Sequence, residues 1–553
     1  MTNSEFGRTL TIRARPLASA FMLAAAATAV SAQAIQSADT PRGEEFAPTP
    51  PYIERIARDR PIARMSVRDV VEQTVRANLD LVLERYNQLL ARQRLVATEG
   101  FYDPNVTLAS SLGQATNPLT ASPGDIRVPG ETIQTSGFGP TIRQNVLGGG
   151  VVTAGVTNSY SQTSSLAPTV NPSFSSVFNA SVTQPLLRGF VRTATDRQVR
   201  NGRLDITISD LLYRQKVTQV LQQVLNQYWE LVFANESYEA RRQSRNLAVT
   251  QYESTRLRIA AALLAPVALT AARAEIASRD RDMLQAEVQI INAENNLKLL
   301  LSDDPASSIW AMAIVPTDRP DPGELPFSLE DALALARAQR PELEQIRLQV
   351  AQNEVDRKFY DWDRKPTANL TAGLVSSGKS GTVYQRLTDG RVADPTNPSF
   401  GGYQSSWRQV FGFDFLAWSA SFNVQVPIRN RSADSQMEQV RIAQTRLQTQ
   451  MMKTMQAVTV EVRNLFQVIQ TLKKSLDAAR LTTQLFEEQL AGQTARYEVG
   501  LSTDFELLRY QRDLVDARVR ELRAVVDLQQ AMIALQKSTD SLLDGNGVDV
   551  KRP

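Results

Sequence analysis

The residue types that most often carry catalytic chemistry are scarce in this chain, and two of them are missing. The sequence of 553 residues contains no histidine and no cysteine. Thiol nucleophiles, disulfides, imidazole bases and the common zinc ligand sets are therefore excluded. Carboxylates remain available for acid–base catalysis or for binding calcium and magnesium, so their grouping along the chain decides whether such chemistry is expected.

Two local clusters could bind a phosphate or a metal ion, but neither has the neighbours that such a site needs. The glycine run at 148–150 is followed by no lysine and no helix start, so we interpret it as a turn between strands. Asp303 and Asp304 stand directly before Pro305 at a predicted helix end, where solvation of a loop is the favoured interpretation. No group of carboxylates in the sequence supports a hydrolase that uses a carboxylate pair. We therefore predict a protein that is not an enzyme and that holds no cofactor and no metal.

The charge balance gives no sign of a nucleic-acid partner. Lys and Arg number 61 against 58 Asp and Glu, and the net charge is +3. The basic isoelectric point follows from that small excess and not from a basic block, which a nucleic-acid-binding surface would need.

The N-terminal residues have the pattern of a secretory signal peptide. Arg8, Arg13 and Arg15 precede an alanine-rich apolar run, and small residues suit cleavage after Ala32. A disordered N-terminal segment is the alternative. No cysteine follows the apolar run, so we expect no N-terminal lipid anchor. The exported chain is then periplasmic, secreted or in an outer membrane.

The two halves of the chain carry the same landmarks in the same order. A shift of 262 positions (328 − 66) pairs Ser66 with Ser328 and Asp69 with Asp331. Ser-x-x-Asp before an apolar periodic run resembles a capping box and predicts a helix start. We predict a tandem repeat with a signal peptide at 1–32, an extended segment at 33–64, a first repeat at 65–301, an equatorial linker at 302–326, a second repeat at 327–543 and a tail at 544–553.

Each repeat contains stretches in which apolar and polar residues alternate. Phe178, Ala180 and Val182 alternate with polar residues, and 418–426 does the same. This period of two predicts strands with one apolar and one polar face. A soluble sandwich shows the same alternation but fits poorly with long flanking helices.

The number of spanning strands in each half must be even, because the helices on both sides of the insert lie on one side of the membrane. We predict two strands in each half, with four in the first half as the alternative. Further strand-like stretches at 132–146 and 150–162 would then form an extra hairpin, either outside the barrel or extending it.

Heptad patterns predict two long helices and four shorter ones. The long helices are expected at about 195–262 and 433–497, and the shorter ones at about 66–99, 266–301, 328–364 and 503–543. Two short helices laid end to end match one long helix of about 100 Å. We therefore predict a cylinder wall in which long helices alternate with stacked pairs of short ones. A coiled-coil stalk without a lumen is the alternative.

Together these motifs resemble those of the TolC-like outer-membrane efflux proteins. The resemblance rests on the capped openers at Ser66 and Ser328, on QPLLRGF at 184–190 and on RYEVGL…FELLRYQRDL at 496–514. It implies an α+β membrane protein that forms a homotrimer. Each subunit would give about four strands to a shared transmembrane β-barrel, which continues into a long periplasmic α-helical barrel.

The function implied by the resemblance is that of an outer-membrane channel in a tripartite efflux pump or a type I secretion system. Such a channel conducts its substrates passively. Its implied partners are a periplasmic adaptor protein, an inner-membrane pump of RND, ABC or MFS type, and outer-membrane lipid. An exported coiled-coil protein with a structural or adhesive role and no channel is the alternative.

The resemblance also implies functional residues at the periplasmic tips of the helices. In the family, an R-x-x-x-G-L stretch forms the helix–helix turn that docks the adaptor. Arg496, Val499, Gly500 and Leu501 match this stretch. A plain glycine cap in a helical hairpin is the alternative.

Two further implied sites match the family pattern less closely. At the tip of the first repeat, Leu263 and Pro266 stand at the corresponding turn, but the glycine is missing. Glu506 stands near the family's tip constriction, where three copies would form an anionic gate ring. Arg509 replaces a second acid there and could neutralise Glu506 through an i,i+3 pair. An ordinary solvated salt bridge is the alternative.

Overall fold

The computed structural model describes residues 46–117, 130–165, 168–190, 193–321, 323, 328–387 and 390–548. The predicted signal peptide at 1–32 lies outside these residues, and so does the end of the tail predicted at 544–553. The described part consists of long helices and one large antiparallel sheet. No helix within it is both long enough and apolar enough to cross a membrane.

Helices form the greater part of the described residues. In chain order the α-helices are α1 (Tyr52–Asp59), α2 (Val67–Ala77), α3 (Leu79–Glu99), α4 (Ala194–Ala260), α5 (Val267–Leu301), α6 (Leu329–Gln339), α7 (Pro341–Asp363), α8 (Tyr403–Gly412), α9 (Arg431–Glu498), α10 (Asp504–Ser538) and α11 (Leu542–Gly545). α4 has 67 residues and α9 has 68, so each is about 100 Å long at 1.5 Å per residue. The predicted positions of both long helices are confirmed.

The serines that open the two repeats cap helices as predicted. The backbone N–H and the hydroxyl of Ser66 both donate to the carboxylate of Asp69 and lower its pKa. The Ser66 hydroxyl oxygen also accepts the backbone N–H of Asp69, which completes a capping box. Ser328 accepts the backbone N–H of Asp331 in the same way. The two repeats therefore begin with the same local structure.

The helix after each of these serines is broken in two, which corrects a prediction. Single helices were expected at about 66–99 and 328–364, but α2 is separate from α3, and α6 from α7. The breaks fall at Asn78 and Arg340, which are 262 positions apart (340 − 78) and have extended backbones. Asn78 caps α3 with its side chain. Arg340 precedes a proline, which disfavours a helical conformation before it.

Six long strands form the large sheet, where about four were predicted. They are β2, β3, β4, β5, β7 and β9 among the strands of the described residues. In chain order, all of these strands are β1 (Ile62–Met65), β2 (Asn105–Asn117), β3 (Glu131–Asn145), β4 (Val151–Thr163), β5 (Val170–Pro185), β6 (Ala313–Pro316), β7 (Thr367–Leu387), β8 (Gly390–Ala393) and β9 (Leu416–Gln425). The long strands follow the order β2-β3-β4-β5-β7-β9, and β8 pairs with β7.

The prediction of two strands in the first repeat is therefore wrong, because that repeat contributes four. The extra hairpin, β3 and β4, does not stand apart from the sheet but pairs with β2 on one side and β5 on the other. Its tight turn contains Gly148 and Gly149 with φ of +91° and +80°, a conformation that glycine adopts without strain. The hairpin thus extends the sheet.

The registers of this sheet define two faces of opposite character. Residues that pair directly across neighbouring strands lie on the same face. One such row, the apolar row, consists of Val106, Ile142, Ala154, Ala180, Leu374 and Trp418. The next row on the opposite face, the polar row, consists of Asn105, Arg143, Thr153, Ser181, Gly373 and Ser419. The alternation predicted for β2, β5, β7 and β9 is thus confirmed, and β3 and β4 share it in these two rows.

A short parallel pair, β1 with β6, joins the N-terminal segment to the segment between the repeats. We call this pair the strap. The hydroxyl of Tyr228 on α4 lies 3.1 Å from the carbonyl oxygen of Met65 and 3.0 Å from the carboxylate of Asp318. Burial raises the pKa of Tyr228 to about 12. The strap therefore packs on the middle of α4, beside the largest apolar cluster of the described residues.

Candidate functional site

The turn between α9 and α10 is shaped by a glycine in the left-handed conformation. Gly500 has a φ of +77°. Its N–H donates to the carbonyl oxygen of Tyr497 (3.0 Å), and the N–H of Leu501 donates to that of Arg496 (2.8 Å). These two bonds form a Schellman motif, which satisfies the last helical carbonyls and favours glycine at its left-handed position.

This turn presents apolar side chains at the far end of the hairpin. Val499 is 69% exposed and Leu501 is 78% exposed, and Arg496 is exposed beside them. Phe505, in the first turn of α10, is also exposed. The sequence prediction missed Phe505, although an aromatic residue so close to the glycine turn was an available signal. The three apolar side chains form a patch that a monomer leaves in water.

The first repeat builds the same turn with an alanine. Ala262 has a φ of +58°. Its N–H donates to the carbonyl oxygen of Ile259 (2.9 Å), and the N–H of Leu263 donates to that of Arg258 (2.8 Å). The missing glycine therefore does not change the geometry of this tip. Leu263 is exposed, and Pro266 directly precedes α5, as predicted for a helix start.

Polar side chains fasten the two hairpins to each other close to their tips. The carboxylate of Asp504 on α10 accepts hydrogen bonds from Gln251 (2.8 Å) and Thr255 (3.1 Å), both on α4. The amide of Gln251 also donates to the hydroxyl of Tyr497 on α9 (2.7 Å). We call Gln251, Thr255, Tyr497 and Asp504 the tip clasp. Sequence reasoning missed it, because Gln251 and Asp504 are 253 positions apart.

The phenol of the tip clasp stays protonated. Burial raises the pKa of Tyr497 above its ordinary value of 10.0, and its hydrogen bond to Asp504 adds to the rise. The guanidinium of Arg258 lies 4.7 Å from the centre of the Tyr497 ring, in a cation–π contact. At neutral pH the neutral phenol of Tyr497 therefore contacts the carboxylate of Asp504 within the tip clasp and the cation of Arg258 beside it.

The two predicted gate residues lie on the same hairpin but do not contact each other in the described structure. The carboxylate of Glu506 accepts hydrogen bonds from Ser502 (3.0 Å) and from Gln493 (3.1 Å). Arg509 forms its ion pair with Asp513 at 3.8 Å. The suggested i,i+3 pair between Glu506 and Arg509 is therefore absent from the ion pairs of the described residues. The carboxylate of Glu506 is hydrogen-bonded instead by the neutral side chains of Ser502 and Gln493.

A groove of about 660 Å³ runs between the two tips. Its lining includes three large apolar side chains and three arginines, which come from both hairpins: Leu264, Phe505, Leu508, Arg258, Arg509 and Arg512. The arginines outnumber the two carboxylates in the lining. The groove therefore combines apolar surface with a small excess of positive charge.

The described residues contain no cluster of three or more metal-ligating side chains. The arrangement at the tips is one of exposed apolar turns, a groove and interhelical hydrogen bonds. Its chemistry is that of binding and of holding helices together.

Residues 332–540 match the model of the outer membrane efflux protein family. These residues, which lie within the predicted second repeat, are similar to that family. The resemblance predicted from the sequence motifs is thereby confirmed. No curated protein matches the sequence.

Solved structures of outer-membrane channels share the fold of this chain. CmeC of Campylobacter jejuni matches with a TM-score of 0.60 and 14% identity, covering 86% of this chain and 86% of that one. MtrE of Neisseria gonorrhoeae matches with a TM-score of 0.56 and 16% identity, over 88% and 90% of the two chains. VceC of Vibrio cholerae matches with a TM-score of 0.56 and 13% identity, over 88% and 97%.

These matches confirm the predicted fold class, a strand domain continued by a long helical domain as in the trimeric outer-membrane channels. The family is one of channel proteins. The homologous efflux channels lie in the outer membrane, and their helices extend into the periplasm.

Proposed function

We propose that this chain is one subunit of a homotrimeric channel that serves a tripartite efflux pump or a type I secretion system. Substrates would pass through it passively, from a periplasmic adaptor and an inner-membrane pump to the exterior. The inner-membrane pump would be of RND, ABC or MFS type.

The two faces of the sheet carry this proposal. The apolar row is exposed at Val106, Ile142 and Trp418, which suits contact with lipid. The polar row on the other face suits a water-filled lumen. A soluble protein would bury the apolar face against another layer, so the sheet fits a membrane better than water.

The unpaired edges of the sheet favour an oligomer. β2 and β9 stand at the two ends of the strand order, and all their residues are exposed. Open edges invite pairing with another chain and cannot remain in a membrane. If β9 of one subunit pairs with β2 of the next, three subunits of six strands close a ring of eighteen (3 × 6). This ring is wider than the one expected from about four strands in each subunit.

The helical tips supply the docking surface for the adaptor in this proposal. Val499, Leu501 and Phe505 form an apolar patch at one tip, and Leu263 is exposed at the other. The groove between the tips adds three arginines. We expect the docking segment of the adaptor to bring small apolar residues flanked by carboxylates.

Glu506 is the proposed gate residue. It is exposed in the first turn of α10, and a three-fold axis would bring three copies of it together. A ring of carboxylates attracts cations and repels anions. The tip clasp would hold the hairpins in the closed arrangement around this ring.

Conductance in planar bilayers, together with the particle mass from light scattering, tests the proposal. We expect particles of three chains that give discrete, cation-preferring current steps. Glu506→Gln should weaken the preference for cations, whereas Glu488→Gln, the same change at another position near the same end of the hairpin, should leave it unchanged.

Each other outcome is informative. Trimers that conduct identically with Glu506→Gln would retain the channel and remove the gate assignment. Particles that never insert into a bilayer would remove the channel and favour an exported coiled-coil protein.

A further inference from the structure

The helix α8 lies against one face of the sheet with its polar residues inward. The buried residues of α8 are Ser406, Gln409 and Val410, of which two are polar. In contrast, Trp407 is 41% exposed and Phe411 is 63% exposed. A helix on a water-soluble protein has the opposite arrangement, with apolar residues inward and polar residues outward. The exposed side of α8 also carries Gln404 and Arg408, so it is amphipathic. Two exposed aromatic residues beside a cation, above a mostly polar inner side, suit surroundings less polar than water.

The surface beneath α8 is a polar patch on the apolar face of the sheet. Ser176 lies four residues before Ala180 on β5, and Ser376 lies two residues after Leu374 on β7, so both share the face of the apolar row. Asn158 pairs with Ser176 on the same face. These three polar residues would otherwise project from a face that is apolar elsewhere.

Hydrogen bonds from this patch hold α8 in place. The hydroxyls of Ser176 and Ser406 are 2.8 Å apart, and the hydroxyl of Ser376 donates to the carbonyl oxygen of Val410 (2.7 Å). The indole N–H of Trp407 donates to the side-chain oxygen of Asn158 (2.6 Å). The patch is therefore satisfied by α8 and not by water.

The contact between α8 and the sheet is close. A Cβ atom added to Gly378 on β7 would lie 2.1 Å from the carbonyl oxygen of Ser406, so any other residue there would displace the helix. Tyr403 also packs edge-on against Phe174, with ring centres 4.9 Å apart. α8 is thus a fixed layer on the sheet and not a loose surface turn.

The exposed side of α8 continues the apolar face towards β9. After the helix, Phe413, Phe415 and Trp418 are all exposed. Arg408 is exposed next to Trp407. Tryptophan and phenylalanine with a neighbouring cation are typical of the boundary between acyl chains and phosphate-bearing headgroups.

α8 covers β7 at Ser376, Gly378 and Ser380, at and just beyond the end of the segment of β7 that pairs with β9 and on the side away from the long helices. It stands in the connection between β7 and β9, and the opposite ends of these two strands lead to α7 and α9. With the helices in the periplasm, α8 is at the level of the outer leaflet.

From these contacts we infer that α8 is a membrane-interface helix that lies flat on the strands and binds the headgroup boundary of the outer leaflet. It converts a polar patch on the sheet into an aromatic surface for lipid. The inference rests on the proposed function, because it requires the apolar face to meet a membrane.

Quenching of tryptophan fluorescence by brominated phosphatidylcholine tests the inference in reconstituted vesicles. The reporter is Phe411→Trp, because Phe411 is exposed and its replacement removes no hydrogen bond of α8. We expect the added fluorescence to be quenched most by bromine close to the headgroup. Trp418, in the apolar row, should be quenched by bromine deeper in the acyl chain, and Trp418→Phe should remove that component.

The two reporters separate the inference from the function on which it rests. Quenching of Trp418 without quenching at position 411 would retain the membrane-spanning sheet and overturn the interface helix, leaving water or a neighbouring subunit against α8. Absence of quenching at both positions would overturn the membrane assignment itself. Trp229→Phe is the control, because Trp229 is buried in the helical domain and its loss should change neither component.

Discussion

At the scale of single residues, the two tips build the same backbone turn with different side chains. Gly500 and Ala262 both hold the left-handed position that ends a long helix. A residue with a Cβ atom costs about 1 kcal/mol there relative to glycine, because its Cβ approaches a neighbouring carbonyl oxygen. The first repeat therefore carries a strain that is absent from the second.

We expect Ala262→Gly to raise the free energy of unfolding by about 1 kcal/mol and Gly500→Ala to lower it by a similar amount. Denaturant unfolding followed by circular dichroism measures both. Ala271→Gly is the matched control, because Ala271 is exposed within α5 and glycine in a helix interior costs about 1 kcal/mol. If both Ala→Gly changes have the same sign, the turn is not the source of the strain.

The tyrosine that anchors the strap makes stability depend on alkaline pH. The pKa of Tyr228 is raised from 10.0 to about 12, chiefly by burial. The folded chain therefore keeps this proton at a pH where the unfolded chain loses it. Its contribution to stability is complete below pH 10.0 and is lost as the pH rises through about 12.

Tyr228→Phe should flatten this alkaline loss of stability and cost about 1–2 kcal/mol at neutral pH, since it removes a hydrogen bond to a carboxylate. Unfolding measured at several pH values between neutral and alkaline tests both effects. The comparison is Tyr52→Phe, because burial also raises the pKa of Tyr52 to about 12. Its buried hydroxyl has no hydrogen-bond partner among the described residues, so we expect little cost at neutral pH.

At the scale of elements, the tip clasp joins the hairpin of the first repeat to that of the second. Its bonds connect α4 with α9 and α10, at the end of helices about 100 Å long. A contact at the end of so long an element controls the separation of the tips with little effect on the sheet. In the proposed channel, the clasp is therefore placed to regulate the width of the periplasmic opening.

Asp504→Asn should loosen the clasp, because the amide offers one acceptor oxygen where the carboxylate offers two, to Gln251 and Thr255. We expect a larger open fraction in single-channel recordings, with the same number of chains per particle. Asp477→Asn, at an exposed position on α9, is the control and should leave the open fraction unchanged. An unaltered open fraction for Asp504→Asn would show that the clasp does not restrain the opening.

At the scale of the whole molecule, the open edges of the sheet define how the subunits of the proposed trimer would meet. The chain contains no cysteine. Disulfides between introduced cysteines therefore report on the contact between β2 and β9 without interference from native thiols. We expect Thr107→Cys on β2 to form disulfides between subunits with at least one of Ser419→Cys, Ser421→Cys and Asn423→Cys on β9. Covalent trimers on a denaturing gel measure the result.

The control for this cross-link uses a strand that lies inside the sheet. Thr157→Cys on β4 should form no disulfide between subunits with the same β9 positions, because β3 and β5 flank β4 on both sides. Equal cross-linking from β2 and β4 would contradict edge pairing.

The sequence predicted the helices well and the strands less well, for physical reasons. Heptad stripes repeated over many turns indicate α4 and α9 almost to their ends. The breaks at Asn78 and Arg340 leave the apolar pattern intact, so periodicity alone does not reveal them. The hairpin of β3 and β4 contains many glycine, serine and threonine residues, whose weak alternation does not show whether a strand joins a sheet.

One part of the candidate site could be predicted from the sequence and another part could not. The turn at Gly500 is a local feature, and its motif can be read from consecutive residues. The tip clasp depends on two helices lying side by side, which brings Asp504 to Gln251 across 253 positions. Neither residue has a local pattern that indicates such a contact.

The matched lengths of the helices limit how a protein of this design can grow or shrink. α4 and α9 have 67 and 68 residues, and their hairpin partners α5 and α10 both have 35. One added residue would advance a helix by about 1.5 Å and turn it by about 100°, which would misalign its buried stripe. Seven residues restore the stripe after almost two full turns, at an added length of about 10 Å. Tolerated insertions are therefore expected in units of seven, made in both repeats at once, so that the tips stay level and the duct changes length in fixed steps.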